Sequence, residues 1–402
     1  MARMPGVRCT ITNEDAKPMQ LMEMEERLIG FDTTSVNSNL EMVDFLESYL
    51  KGLGMQVLVD TSPDGRKANL LATLGAPDTG GLMLAGHMDV VPVAGQAWDG
   101  DPFVLRPSDG KYYGRGTADM KSFIAQAIQS VEAIRHRKLT LPVHLAFTYD
   151  EEVGCHGARH LMDELQRRDH VMPKCAVIGE PTNFKVFRLH KGFSSARVTV
   201  TGVEGHSSKP AKGANAIYQA ALVIQKLMEV EEERKGRRGM EDLFEIPHTT
   251  LSVGMIEGGT ALNIIPNHCE VKFEYRTMPG EDTAYVLNQI KGYVSEVLLP
   301  AFKKQHQQVD IQVEETGRGE PMITAQGSEI ELLDLELTGV ARSGAAPFYT
   351  EGAIYNEAGI PTVICGPGDI DQAHRPNEFI TEEQLQKGLP LIGRLIERVC
   401  MS

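Results

Sequence analysis

Several short apolar runs in this 402-residue chain each end in a histidine or an acidic residue, and that arrangement limits the folds open to it. Leu82–Ala85 leads through Gly86 to His87, Leu141–Phe147 into Asp150-Glu151-Glu152, and Cys175–Ile178 through Gly179 to Glu180. Continuous apolar runs of four to eight residues are the mark of strands buried on both faces, as in parallel sheets. In open α/β sheets, ligands gather at the carboxyl ends of such strands. Two further residues belong with these strand-end groups. Asp119 closes the glycine turn Gly114-Arg115-Gly116-Thr117-Ala118, and His374 follows the turn Gly366-Pro367-Gly368.

Two imidazoles and three carboxylates form a nitrogen/oxygen donor set suited to zinc-like ions. His87, Asp119, Glu152, Glu180 and His374 are therefore the candidate metal ligands, and metal-assisted hydrolysis is the expected chemistry. Each residue also has a plainer reading. His87 and His374 could be loop histidines, Asp119 could cap the helix that follows it, and Asp150-Glu151-Glu152 could be a solvated strand end. Within His87-Met88-Asp89, Asp89 is placed to accept the second imidazole N–H, the usual support for a ligating histidine. The Gly114–Asp119 turn lacks the Gly-Lys-Ser/Thr ending of a phosphate loop, which argues against nucleotide binding.

Helical spacing over 41–51 and strand-like runs at 69–74 and 82–85 set up an alternation of strands and helices. It continues with a helix marked by Phe123, Ala127, Val131 and Ile134, and with strands at 141–147 and 175–178. This predicts a sheet sandwiched by helices. From residue 191 the order becomes strand 197–201, helix 214–230, strands 249–255 and 269–277, helix 283–299 and strand 309–314. That β-α-β-β-α-β series is a ferredoxin-like unit. Alternation resumes with a helix at 328–337 and a strand at 361–365. The expected organisation is a discontinuous catalytic domain, 1–190 with 320–402, interrupted by an α+β insert, 191–319. Residues 1–20 form an extension.

Composition excludes some partners. Forty Lys and Arg against 55 Asp and Glu give a net charge of −15, with no basic patch to meet nucleic acid. No run approaches the roughly 18 apolar residues of a membrane span, and the first twenty residues lack the apolar core of a signal peptide. The six cysteines show no Cys-x-x-Cys pair. Reduced thiols and a cytoplasmic location are expected.

Five segments carry a resemblance to a known family. They are Gly86–Pro92, Gly114–Lys121, Asp150–Gly154, Gly179–Thr182 and Ala373–Glu378. In order and spacing they resemble the co-catalytic metallohydrolases that include deacetylases, desuccinylases, aminoacylases and related carboxypeptidases. The likeness runs from about residue 25 to the C-terminus and implies a zinc-exopeptidase-like mixed sheet with an inserted lid and dimerisation domain. It implies two divalent ions, zinc in the first place or cobalt. One is held by His87, Asp119 and Glu180, the other by Asp119, Glu152 and His374. Glu151 is then the general base and Asp89 supports His87. His206 stabilises the oxyanion, in the family from across a homodimer interface. Asn263 is a further lid residue at the substrate, and Arg276 receives the substrate α-carboxylate. A cis peptide between Asp119 and Met120 is also implied.

Within the family, Tyr149–Cys155 and Gly366-Pro367-Gly368 with Gln372-Ala373-His374 look most like the acetylornithine deacetylases. Desuccinylases carry a Thr-Ser-Asp-Gly-Arg-like segment where this chain has Thr350-Glu351-Gly352-Ala353-Ile354. An acid there is a natural partner for the ammonium of an ornithine side chain. Thr350 and Glu351 are thus candidate substrate contacts, unless Glu351 is a buried structural acid. Succinyl-diaminopimelate, acetylcitrulline or a broader range of N-acyl amino acids are the alternative substrates. A non-catalytic binding protein of the same fold is the alternative outside enzymology.

Overall fold

The computed structural model describes residues 19–237, 240 and 243–401; the expected extension, up to residue 18 and with it Cys9, lies outside the described residues. The chain divides into two compact units. The first comprises residues up to 186, 325–343 and 355 onward, and the second 187–324 with 344–354. Thr350 and Glu351, which the sequence reading assigns to the catalytic domain, therefore belong to the second unit.

The first unit is built on a mixed sheet in the order Gln56–Thr61, Ala68–Leu74, Val143–Thr148, Leu82–His87, Cys175–Ile178 and Thr362–Ile364. The first three are antiparallel neighbours, and the last four run parallel. Ala68–Leu74, Leu82–His87 and Val143–Thr148 are buried at every position, as their unbroken apolar character requires. Lys121–Ile134 packs on Leu82–His87 and Val143–Thr148, and is itself covered by Leu21–Ile29 and by Glu382–Cys400. Leu40–Gly52 and His156–Arg167 pack on the antiparallel edge of the sheet. Since four strands run parallel, His87, the segment after Thr148, and Glu180 all emerge at one end of the sheet.

The C-terminal helix Glu382–Cys400 opens with a capping box between Thr381 and Gln384. Pro390 lies inside it. The sequence reading misses this helix, as it misses Gln56–Thr61, His156–Arg167 and a small sheet of Arg106–Ser108, Lys111–Tyr113 and Phe379–Thr381.

In the second unit, the four-stranded antiparallel sheet runs in the order Thr250–Gly258, His268–Arg276, Phe193–Thr201, Asp310–Gly319. Together with Ala216–Lys235 and the helical segment from Tyr285, this is the ferredoxin-like arrangement. Val198, Val200, Val271 and Phe273 from the sheet share one core with Val223, Leu227 and Ile290 from the helices. The helix expected over 283–299 runs instead from Tyr285 to Gln305 through a π-turn at Val294–Leu298. Pro300, which has no N–H to donate, sits just beyond that turn. Cys155, Cys175, Cys269, Cys365 and Cys400 are free thiols.

Candidate metal centre

His87 is the last residue of its strand, and the turn after it is pinned on three sides. Met88 N–H donates to the Thr148 carbonyl at 2.8 Å, the Thr33 hydroxyl donates to the Met88 carbonyl at 2.6 Å, and Val90 N–H donates to Thr33. His87 Nδ1 lies 2.8 Å from the main-chain carbonyl of Asp89. A carbonyl only accepts, so Nδ1 carries the proton and the Nε2 lone pair is left facing outward. Nε2 points at Asp119 Oδ1, 3.0 Å away. Two acceptor atoms this close need a cation or a proton between them.

The Asp89 carboxylate does a different task from the one expected of it. It is 3.7 Å from His87 Nδ1, too far for a hydrogen bond. Its oxygens instead accept Glu151 N–H at 3.0 Å, Glu152 N–H at 3.3 Å and the Ser35 hydroxyl at 2.7 Å. Asp89 thus supports His87 through its backbone and the Glu151-Glu152 turn through its side chain.

Asp119 ends a turn in which Gly116 has φ +88°, a conformation that favours glycine. The Asp119–Met120 peptide is cis. Met120 is the N-cap of the helix that follows, and no side chain caps that end, so the capping role open to Asp119 is not used. The Asp119 carboxylate is shared: Oδ1 faces His87 Nε2, and Oδ2 lies 3.4 Å from His374 Nε2. His374 Nε2 is also 3.1 Å from Glu152 Oε2. Among the described residues, His87, Asp119 and Glu152 form the cluster whose ligand atoms all lie within 4.8 Å of one another.

Electrostatics ties Glu180 and Glu151 to the same place. Burial pushes the Glu180 carboxyl well above the usual carboxylate range, and the charges of Asp119 and Glu151 add to it. Burial and the Asp119 charge also raise Glu152. Burial opposes protonation of His87, but its hydrogen bond to Asp119 and the nearby acids prevail and hold its pKa well above the ordinary value. Hydrogen bonds to Asp119 and Glu152 raise His374 to about 10. Asp119 itself is lowered: burial works against this, and the hydrogen bonds from His374 and His87 outweigh it. Acids crowded in a buried site, raising the proton affinity of both imidazoles, describe a place that lacks positive charge. Divalent ions need neutral imidazoles and ionised carboxylates, and their charge would supply what these side chains require. The donor set fits a dinuclear centre.

The remaining candidate residues belong to the second unit. His206 is exposed, and its Nδ1 accepts from the Ser208 hydroxyl at 2.8 Å. It pairs with Ile264 in a short antiparallel ladder, and the neighbouring Ser207 N–H donates to the carbonyl of Asn263 at 3.0 Å. Arg276 lies at the end of His268–Arg276, with its guanidinium 4.7 Å over the Phe193 ring and loose contacts of 3.3–3.4 Å to Glu274. Thr350 and Glu351 are buried. Four polar supports lie outside the residues that the sequence singles out. Lys67 pairs with Asp150 and with the Ser35 carbonyl. Lys121 donates to the carbonyls of Leu28 and Phe31 at 3.0 and 2.8 Å. Ser35 holds Asp89 as described, and Glu378 holds the Asp119 turn. Of these, Lys121 and Glu378 lie inside motifs that carry the family resemblance, which is the only signal that could have singled them out.

The chain is 36% identical to an acetylornithine deacetylase of Pasteurella multocida over 94% of this chain and 98% of that protein. To the acetylornithine deacetylase of Proteus mirabilis it is 36% identical over 92% and 93% of the two chains. An M20-family metallo-carboxypeptidase from Sulfolobus solfataricus has a similar fold, with a TM-score of 0.77 at 17% identity over 94% of this chain and 99% of that one. A dinuclear metal-binding M20 peptidase from Bacillus subtilis matches with a TM-score of 0.64 at 16% identity over 94% and 98% of the two chains. The model of peptidase family M20/M25/M40 matches residues 83–398, so the chain belongs to that family of metal-dependent hydrolases.

Proposed function

We propose that this chain hydrolyses the acyl amide of N2-acetyl-L-ornithine to L-ornithine and acetate, a step of arginine biosynthesis. The observation that carries the reading is Asp119, which offers one carboxylate oxygen to each of two histidines in a cluster with Glu152. The identity to curated acetylornithine deacetylases over nearly the whole chain supports the substrate.

His87, Asp119 and Glu180 would hold one ion, and Asp119, Glu152 and His374 the other, zinc in the first place. Bound divalent ions supply Lewis acidity toward water and the acyl carbonyl. Glu151, fixed through its N–H by Asp89, takes the proton of the attacking water at its carboxylate and returns it to the leaving amine. His206 donates to the developing oxyanion. Asn263 and Thr350 contact substrate. Arg276, its guanidinium face covered by Phe193, receives the α-carboxylate. Glu351, buried, pairs with the side-chain ammonium.

The active form is a homodimer. In support, Thr250–Gly258 is an edge strand that leaves Met255 and Ile256 exposed, and Tyr218, Leu222 and Leu262 are exposed in the same unit. Exposed apolar side chains on a free edge are a liability that pairing with a second copy removes. The enzyme works in the cytoplasm; no described helix is long and apolar enough to cross a membrane.

Turnover of N-acetylornithine, N-acetylcitrulline and N-succinyl-diaminopimelate by the zinc-loaded protein tests the substrate. The highest kcat/KM is expected for N-acetylornithine, and a preference for the succinylated compound would overturn the assignment.

A further inference from the structure

Glu378 is fully buried, and it is joined to two of the segments that carry the candidate ligands. Pairing of Phe379–Thr381 with Lys111–Tyr113 brings it against the turn at 114–119, where Gly114 N–H donates to its carbonyl at 3.0 Å. One carboxylate oxygen, Oε1, accepts three main-chain donors of that turn: Gly116 at 3.1 Å, Ala118 at 2.8 Å and Asp119 at 3.0 Å. The other, Oε2, accepts from Arg115 Nη1 at 2.6 Å. Arg115 is buried too, with its guanidinium 5.1 Å from the Trp98 ring.

The connection continues to His374. Arg115 Nη2 donates to Gln96 Oε1 at 2.6 Å, and Trp98 Nε1 donates to the same oxygen at 3.1 Å. Two donors on that atom settle which end of the amide is oxygen. The Gln96 amide nitrogen must then be the donor, and it meets the main-chain carbonyl of His374 at 2.9 Å. A continuous relay runs from the backbone of Asp119 through Glu378, Arg115 and Gln96 to the backbone of His374. None of these bonds uses a candidate ligand atom.

We propose that Glu378 and Gln96 are positioning residues that fix the separation of Asp119 from His374, and so tune the affinity of the two ion positions unequally. The proposal rests on the dinuclear reading above. Gln96 meets the His374 backbone directly and reaches Asp119 only through Arg115 and Glu378, so its loss should loosen chiefly the position that holds His374. Glu378 holds Asp119, which both positions share, so its loss should loosen both. Outer partners of metal ligands typically change metal affinity or activity about 10–100-fold.

The test is competition for zinc with a colorimetric chelator, using wild type, Gln96→Ala and Glu378→Gln. Wild type should hold two zinc ions. Gln96→Ala should keep one at wild-type affinity and bind the other at least about 10-fold more weakly. Its metal-free melting temperature should match wild type, which a general loosening of the fold would not allow. Glu378→Gln should weaken both ions, with kcat falling and KM little changed. Two ions held as tightly as in wild type by Gln96→Ala overturns the proposal. That variant decides the matter if Glu378→Gln, which leaves the buried Arg115 without a carboxylate to balance its charge, does not fold. A wild-type protein that holds no zinc would instead overturn the dinuclear reading itself.

Discussion

His87 donates its Nδ1 proton to the main-chain carbonyl of Asp89 at 2.8 Å, while the Asp89 carboxylate turns away to bind the backbone of Glu151 and Glu152. One residue thereby serves two neighbours with separate atoms. The imidazole tautomer depends on a group that no side-chain substitution removes. The orientation of the candidate base depends on the carboxylate.

Asp89→Asn separates the two roles. The carbonyl remains, so zinc content should stay near that of wild type. The amide keeps only one acceptor oxygen, so the turn at 151–152 loses a partner, and kcat should fall about 10–100-fold. Zinc analysis beside steady-state kinetics checks this. Loss of zinc in proportion to activity would return the supporting role to the carboxylate.

Glu151 and Glu152 are adjacent yet should fail differently. Glu152 lies against His374 and within the Asp119 cluster, so Glu152→Ala should lose metal. Glu151→Ala should retain metal while kcat drops by about 10²–10⁴-fold, the usual worth of a general base. Equal metal loss in the two variants would remove Glu151 from the role of base.

Gly179 leaves no room for a side chain. A Cβ there would fall 1.8 Å from the root of the Phe123 ring, and one on Gly366 would fall 2.2 Å from the Gly179 carbonyl. Gly179→Ala should therefore destabilise the protein by about 1–3 kcal/mol or more, as overpacked cores do. It should also displace Glu180 and weaken zinc binding. A variant with the wild-type urea midpoint would show that the ring moves freely.

His144 predicts an acid-sensitive fold. Its ring is buried between the Gly80 carbonyl, which takes the Nε2 proton at 2.9 Å, and the Thr73 hydroxyl, which donates to Nδ1 at 2.9 Å. Burial, with the charge of His170 adding and the Gly80 bond opposing, lowers its pKa from 6.5 to about 4. The unfolded chain therefore takes up a proton that the folded one refuses between those values. Stability is complete above pH 6.5 and falls as pH drops toward 4, by about 3 kcal/mol in all. Replacing His144 with Asn should lower stability at pH 7.5, and the gap to wild type should narrow by pH 4.5. A gap that is the same at both pH values would exclude the effect.

The strand ends were legible because a strand buried on both faces leaves a continuous apolar run, and the polar residue closing it has few other reasons to be there. His87, Glu152 and Glu180 could be read in that way. The supports could not. Ser35 meets Asp89 across 54 residues and Glu378 meets Asp119 across 259, and no local pattern encodes such pairings. Glu382–Cys400 was obscured by Pro390. The boundaries of the second unit were displaced because Gly344–Ala346 pairs with Phe187–His190, which carries Thr350 and Glu351 into that unit. The structure differs from the expected use of the Asp89 side chain by one atom, since the Asp89 carbonyl accepts the imidazole N–H in place of the carboxylate.

Hydrolysis by this chain should depend on ions held between His87, Asp119, Glu152, Glu180 and His374. Exhaustive chelation followed by stepwise zinc addition, with N-acetylornithine turnover followed throughout, measures that dependence. Negligible turnover is expected in the metal-free protein, with recovery on addition of zinc complete by two equivalents per chain. Full turnover by verified metal-free protein would contradict it.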